Sequence, residues 1–157
     1  MAKIAALYEE DFIRWTEAQA DALRRAAGQR SNLPVDWSNL AEEVESLGRW
    51  QCRELRSRIA VIIEHLLKLE FSPSIEPRPG WVETIGRERR DIERLLDDSP
   101  SLRGELDRLV ALEWPRTAAF VADHLVLRGE ADAEFVCDRP AYTASQVLGD
   151  TLPHQRR

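Results

Sequence analysis

The segment that decides the fold runs from Asn39 to Phe71 and reads NLAEEVESLGRWQCRELRSRIAVIIEHLLKLEF. Its second half places apolar residues three and four positions apart, at Cys52, Leu55, Ile59, Ile62, Leu66 and Leu69. This spacing is typical of a helix with one buried stripe. A second series of the same kind precedes it and consists of Leu40, Val44 and Leu47. The two series are out of phase by one residue, and a break or kink at Gly48 explains this most simply.

Periodic apolar residues predict further long helices on both sides of this segment. They extend over residues 7–27, 81–98 and 100–128, and Pro115 is expected to kink the last of them. Thr143 and Gln146 form a capping box that predicts a short C-terminal helix, and residues 152–157 are expected to be frayed. The pattern favours an all-α fold, an antiparallel up-and-down bundle of four main helices with a kinked or broken second helix.

Length and charge narrow the class of protein. A chain of 157 residues is long enough for one hydrophobic core, so we expect a single domain over residues 1–157. The net charge is −6, with acids and bases interleaved, which argues against a dedicated nucleic-acid or membrane surface. No signal peptide and no apolar run of about 20 residues is present, so a cytoplasmic location is expected.

Several blocks of sequence carry a family resemblance. They are LYEEDF at residues 7–12, LAEEVESLGR at 40–49, HLLK at 65–68 and IERLLDDSPSL at 92–102. In this order, and over nearly its whole length, the chain resembles the bacterial family catalogued as domain of unknown function 29. The resemblance implies an all-helical, cytoplasmic bacterial protein and implies no catalytic or binding residue. The tail departs from the family pattern, because Asp138-Arg139-Pro140-Ala141 separates Cys137 from Tyr142.

The first candidate for catalysis is the pair Arg58 and His65, which lie two turns apart at one edge of the buried stripe. Their spacing resembles that of helical-bundle ribonucleases with higher-eukaryote-and-prokaryote nucleotide-binding domains. In such a site the histidine acts as general acid or base and the arginine stabilises phosphate charge. The residue after Arg58 is the apolar Ile59 instead of the polar residue usual there. A boundary histidine beside a solvated arginine is therefore the favoured interpretation.

A metal site is the second candidate. Its ligands would come from His65, His124, Glu43, Glu45 and Glu64. Helical bundles usually build such sites with Glu-x-x-His, but Ile62 and Val121 occupy the glutamate positions here. The sequence therefore predicts neither a metal nor a cofactor, and His124 is expected to lie in the core or at its boundary.

Charged residues interrupt the apolar stripe of the third predicted long helix. Between Ile85 and Ile92 the stripe must pass through Glu88 or Arg89, so one charge faces the interior or its edge. A buried charge requires a partner. We expect an interhelical ion pair of Arg89, with the candidate partners being Glu43, Glu45 and Glu64.

Two surface features bear on binding partners. Arg49, Arg53 and Arg56 make a locally basic segment that permits nucleic-acid contact, although neutralisation by acids of adjacent helices is favoured. Trp50 and Trp114 each lie beside a predicted kink and would mark a contact surface if exposed. The favoured function is a non-enzymatic protein interaction or regulatory module. The alternative is a partner-dependent ribonuclease that uses the Arg/His pair on the central helix.

Overall fold

The computed structural model describes residues 2–29, 33–131 and 133–154, and every regular element in these ranges is helical. The elements are α1 (Ala2–Glu10), α2 (Phe12–Gly28), α3 (Trp37–Phe71), α4 (Arg78–Asp98), a 3₁₀ helix (Pro100–Glu105), α5 (Leu106–Leu127), α6 (Ala133–Cys137) and α7 (Ala144–Leu148). The predicted all-α fold is confirmed. Among the described helices, none is long and apolar enough to cross a membrane. Residues 155–157 of the segment expected to be frayed lie outside these ranges.

The chain divides into two compact units. The first unit comprises Met1–Leu55 and Arg94–Arg103, and the second comprises Arg56–Glu93 and Gly104–Arg157. Helices α3 and α4 therefore contribute residues to both units. The expectation of a single domain stays a prediction.

The first predicted helix is interrupted at Asp11, so the prediction of one helix over residues 7–27 is wrong. Asp11 has an extended backbone and caps α2, because its side chain accepts a hydrogen bond from the Arg14 N–H at 3.1 Å. The same carboxylate, only 6% exposed, accepts hydrogen bonds from the backbone N–H of Ser101 at 2.8 Å and its hydroxyl at 3.0 Å. Asp11 thus fixes the junction of α1 and α2 within the first unit.

Helix α3 is continuous through Gly48, so of the predicted break or kink the break does not occur. The buried positions before Leu55 are Ala41, Gly48 and Gln51, which are in phase with the later stripe, whereas Leu40 and Leu47 are nearly half exposed. A Cβ atom at Gly48 would lie 2.5 Å from Oγ1 of Thr16 on α2. The glycine therefore allows close approach of α2 and does not end the helix.

The second unit has a conventional apolar core. Its fully buried members include Ile59, Ile62, Ile63, Leu66, Leu67, Ile85, Ile92, Val110, Val121 and Leu125. Helix α5 runs without interruption through Pro115, and α6 and α7 pack against it. The predicted capping box of Thr143 and Gln146 opens α7 and is confirmed. The helix predicted over residues 100–128 begins differently in the structure, because a 3₁₀ helix over Pro100–Glu105 precedes α5.

Candidate functional site

An open groove with a volume of about 520 Å³ lies in the first unit. Its walls come from α1, α2, α3 and α4, and they comprise Tyr8, Glu9, Phe12, Trp50, Gln51, Glu54, Leu95, Asp97 and Asp98. Three of these nine residues are aromatic, four are carboxylates and none is basic. We call this feature the aromatic–acidic groove.

Tyr8 is 51% exposed, yet its ring contacts two other aromatic rings, those of Phe12 and Trp15. The ring centroids of Tyr8 and Trp15 are 5.0 Å apart at an angle of 81°, and those of Tyr8 and Phe12 are 6.1 Å apart at 70°. Such edge-to-face contacts are favourable for aromatic pairs. The Tyr8 ring is therefore positioned before anything binds to it.

Trp50 is 58% exposed and lies on α3 beside the buried Gln51. The Ser99 hydroxyl donates a hydrogen bond to Oε1 of Gln51 at 2.8 Å and accepts one from the backbone N–H of Ile13 at 3.2 Å. Ser99 therefore links Gln51, which lines the groove, to Ile13 at the start of α2. Trp50 thus precedes a residue whose side chain is fixed by a hydrogen bond, and its own large indole is exposed.

The acidic residues of the groove lie where a helix disfavours them. Glu9 is in the last turn of α1, and Asp97 and Asp98 end α4. Neither helix has a basic residue in its last turn. Because helix C-termini carry a partial negative charge, acids at these positions add to an already negative potential. Asp97 is partly offset by Arg103, whose Nη2 lies 3.1 Å from its Oδ1 in a pair exposed on both sides.

Arg58 lies in an ion-pair network of the second unit. Its Nη1 lies 2.8 Å from Oε2 of Glu88 and 2.9 Å from Oδ2 of Asp91. Glu88 is 9% exposed, so it is the charge that α4 directs inward. The Nδ1 of His65 is 2.8 Å from the carbonyl oxygen of Val61, one turn back on the same helix. The proposal of an Arg/His catalytic pair stays a prediction.

Arg89 has different partners from those predicted. Its guanidinium donates hydrogen bonds to the carbonyl oxygens of Val147 at 2.9 Å, Gln146 at 3.3 Å and Thr151 at 3.5 Å. The prediction of a pair with Glu43, Glu45 or Glu64 is therefore wrong, because Arg89 anchors the C-terminal segment instead. Burial lowers the pKa of Arg89, and the nearby Asp150 carboxylate partly opposes this effect.

Two arginines of the predicted basic segment pair with acids of the chain. Nε of Arg56 lies 2.6 Å from Oε1 of the largely buried Glu113. Nη1 of Arg49 lies 3.1 Å from Oε2 of Glu45, an oxygen that Arg24 also contacts. Nucleic-acid contact through Arg49, Arg53 and Arg56 stays a prediction.

The residues weighed as metal ligands do not come together. Within residues 2–29, 33–131 and 133–154, no group of three or more His, Cys, Asp or Glu side chains could hold a metal ion. Glu64 pairs with Lys68, and His124 is exposed, so the expectation that His124 lies in the core or at its boundary is wrong.

Trp114 is half buried in a closed cluster of the second unit. Nε of Arg139 lies 2.6 Å from Oε2 of Glu70, and the Tyr142 hydroxyl donates to the same oxygen at 2.7 Å. The Arg139 guanidinium lies over the Tyr142 ring, 3.6 Å from its centroid. The rings of Trp114 and Tyr142 meet edge to face at 5.3 Å. We call these four residues the Glu70–Arg139 cluster.

Comparison with known proteins identifies the family of this chain and a solved structure with a similar fold. The model of the domain of unknown function family DUF29 matches residues 7–152. The chain belongs to this family. Its structure is similar to the crystal structure, at 1.45 Å resolution, of an alpha-helical protein of unknown function from Rhodospirillum rubrum. The two are 26% identical with a TM-score of 0.74, and the match covers 91% of this chain and 89% of that chain. A search of curated proteins found no match.

Sequence reasoning found Trp50 but missed the rest of the groove. Tyr8, Phe12 and Trp15 recur at helical spacing within the helix predicted over residues 7–27, and this spacing does not distinguish an exposed ring from a buried one. The groove could have been recognised from its charges. Glu9 with Glu10, and Asp97 with Asp98, occupy helix ends where acids are unfavourable. Departures from a local rule concentrate at functional sites.

Proposed function

We propose that this DUF29 protein is a non-enzymatic protein-interaction module and that the aromatic–acidic groove is its docking surface. The observation that carries the proposal is the exposure of Trp50 and Tyr8, at 58% and 51%, in one groove. Tryptophan and tyrosine are enriched among the residues that contribute most to protein–protein binding. As the family resemblance implies, we place this activity in the bacterial cytoplasm.

The geometry of the groove suits a protein partner. Aromatic side chains that are already positioned lose little conformational entropy when a partner covers them. The contacts of Tyr8 with Phe12 and Trp15 supply this order. The four carboxylates then surround an apolar centre with polar groups, which is the usual anatomy of an interface.

The ribonuclease alternative has weaker support. Glu88 and Asp91 already occupy Nη1 of Arg58, so phosphate binding there would have to displace two carboxylates. It predicts RNA cleavage that is lost in His65→Ala while the helical circular dichroism spectrum is kept. Absence of His65-dependent cleavage by the chain together with its captured partner would end this alternative.

The interaction proposal is tested by capture from lysate of the organism that encodes the chain. Tagged wild-type protein and the variants Trp50→Ala and Phe120→Ala are compared by quantitative mass spectrometry after nuclease treatment. Phe120 is the matched control, because it is 57% exposed and lies on α5 of the second unit. We expect a stoichiometric protein partner that Trp50→Ala loses and Phe120→Ala retains. Equal recovery by all three proteins would refute the groove as a docking surface.

A further inference from the structure

We propose that the aromatic–acidic groove binds an arginine-rich segment of the partner protein. This inference rests on the proposed function and adds the chemistry of the partner. It follows from the charge of the groove, from the orientation of its aromatic rings and from a contact of the same kind inside the second unit.

The charge of the groove selects a cation. Four carboxylates line it, none of the nine lining residues is basic, and two helix C-termini add partial negative charge. Arg103 pairs with Asp97 across an exposed contact. Glu9 and Asp98 each lie in the last turn of a helix, where a positive group is favoured. A basic segment of a partner supplies such a group.

The aromatic rings select the same class of ligand. Cations bind over the faces of tryptophan and tyrosine, and arginine does so more often than lysine because its planar guanidinium also stacks. A guanidinium can at the same time donate paired hydrogen bonds to a carboxylate. Trp50 and Tyr8 supply the faces, and the neighbouring carboxylates supply the acceptors.

The second unit shows this arrangement completed within the chain. Arg139 lies 3.6 Å from the centroid of the Tyr142 ring and 2.6 Å from a carboxylate oxygen of Glu70. Trp114 lies on the same guanidinium at 5.7 Å. The groove of the first unit has the same two components, aromatic rings and carboxylates, at an exposed surface.

The exposure of the rings favours a segment of a protein over a small cation. Small-molecule pockets enclose about 70–90% of their ligand. Trp50 and Tyr8 are each more than half exposed, so a free polyamine would remain largely in water. A peptide segment can cover both rings while its own backbone stays outside the groove.

The test is fluorescence anisotropy with a labelled peptide that alternates arginine and serine. The comparison peptide has citrulline, a neutral isostere, at each arginine position. We expect binding of the arginine peptide to weaken about tenfold in Trp50→Ala and in Asp98→Lys. Phe120→Ala and Asp123→Lys are the matched controls on α5, and each should bind within about twofold of wild type. Raising the ionic strength from about 0.05 M to about 0.5 M should also weaken binding, because the charges are exposed.

Each contrary outcome has a definite meaning. Equal affinity for the citrulline peptide, or unchanged affinity in Trp50→Ala and Asp98→Lys, would overturn the arginine assignment. Displacement of the peptide by equimolar spermidine would assign the groove to a small cation and overturn the peptide assignment. If capture from lysate still depends on Trp50 but not on Asp98, docking at the groove stands and only its charge chemistry fails. If capture from lysate depends on neither Trp50 nor Asp98, the proposed function is refuted as well.

Discussion

Both units combine aromatic rings with carboxylates, but they differ in how far these groups are buried. In the Glu70–Arg139 cluster the chain supplies its own arginine, and the side-chain exposures are 11% for Arg139 and 4% for Glu70. In the aromatic–acidic groove Trp50 and Tyr8 are more than half exposed, and the nine lining residues include no basic one. The same combination of groups can thus stabilise a fold when it is buried or remain available to a partner when it is exposed.

This difference predicts the largest stability effect at Glu70. Glu70→Ala leaves Arg139 buried without its carboxylate and removes the acceptor of the Tyr142 hydroxyl. We expect the free energy of unfolding to fall by about 3 kcal/mol in urea titrations.

The control for Glu70 is an exposed ion pair of the same unit. Nε of Arg108 lies 2.6 Å from Oε2 of Glu105, with both side chains about half exposed or more. Glu105→Ala should change the free energy of unfolding by less than about 0.5 kcal/mol. Equal losses in the two variants would show that the enclosed cluster does not stabilise the fold.

The all-α fold follows from the sequence because the apolar period extends over many turns in α3, α4 and α5. The interruption at Asp11 does not follow from it, since Asp11, which caps α2, is held in place by hydrogen bonds from Ser101, ninety residues away. The continuity of α3 was missed for a related reason. The period of large apolar residues places Leu40 and Leu47 inward, whereas the buried face uses the small residues Ala41 and Gly48.

The second largest stability effect in the protein is expected at Gly48, which lies in the first unit. A Cβ atom there would meet Oγ1 of Thr16 at 2.5 Å, and that hydroxyl already donates to the carbonyl oxygen of Ile13 at 2.7 Å. Gly48→Ala should lower the free energy of unfolding by about 2 kcal/mol through overpacking. Adding Thr16→Ala should recover part of the loss. Gly80→Ala, where the added atom meets open space, should not destabilise the protein, and a loss at Gly80 equal to that at Gly48 would contradict the packing argument.

A smaller effect with a defined pH dependence is expected at Glu130 of the second unit. Burial alone would raise the pKa of Glu130, but hydrogen bonds from Ser72, Arg128 and Ser74 outweigh it and hold the pKa below the ordinary value. The resulting stabilisation is fully present above the pKa of an unfolded glutamate, about 4.3, and disappears as the pH falls through the lower folded pKa.

This linkage gives a direct measurement. Glu130→Gln should be about 1 kcal/mol less stable than wild type near pH 7, and the two proteins should converge below about pH 4. Urea titrations across this pH range measure the difference. A gap that persists unchanged at low pH would show that the ionised carboxylate is not its source.

The smallest stability effects are expected in the groove. Trp50→Ala and Asp98→Asn should each change the free energy of unfolding by less than about 0.5 kcal/mol, since both side chains are exposed. Relief of repulsion at the end of α4 can even make Asp98→Asn slightly more stable than wild type. A large loss of stability in either variant would place these residues in the fold and weaken the contrast with the Glu70–Arg139 cluster.

The site was less accessible to sequence reasoning than the fold. An exposed and a half-buried aromatic residue share the same helical period, so Tyr8 and Phe12 could not be told apart before Asp11 was seen to separate α1 from α2. Trp50 was identified because it lies beside the break or kink predicted at Gly48. Arg139 and Tyr142 were noted only as a departure of the tail from the family pattern, and their role depends on Glu70, about seventy residues earlier in the chain.

Site-specific photo-crosslinking in cells of the source organism tests the central claim most directly. The chain carries p-benzoylphenylalanine in place of Trp50 or, as the matched control, in place of Phe120, and crosslinked products are separated by mass and identified. We predict one discrete adduct with a single protein from position 50, formed through an arginine-rich segment, and none of comparable yield from position 120. Adducts of equal yield and diversity at both positions would contradict the account, because the groove would then be no more a docking surface than any other exposed aromatic residue.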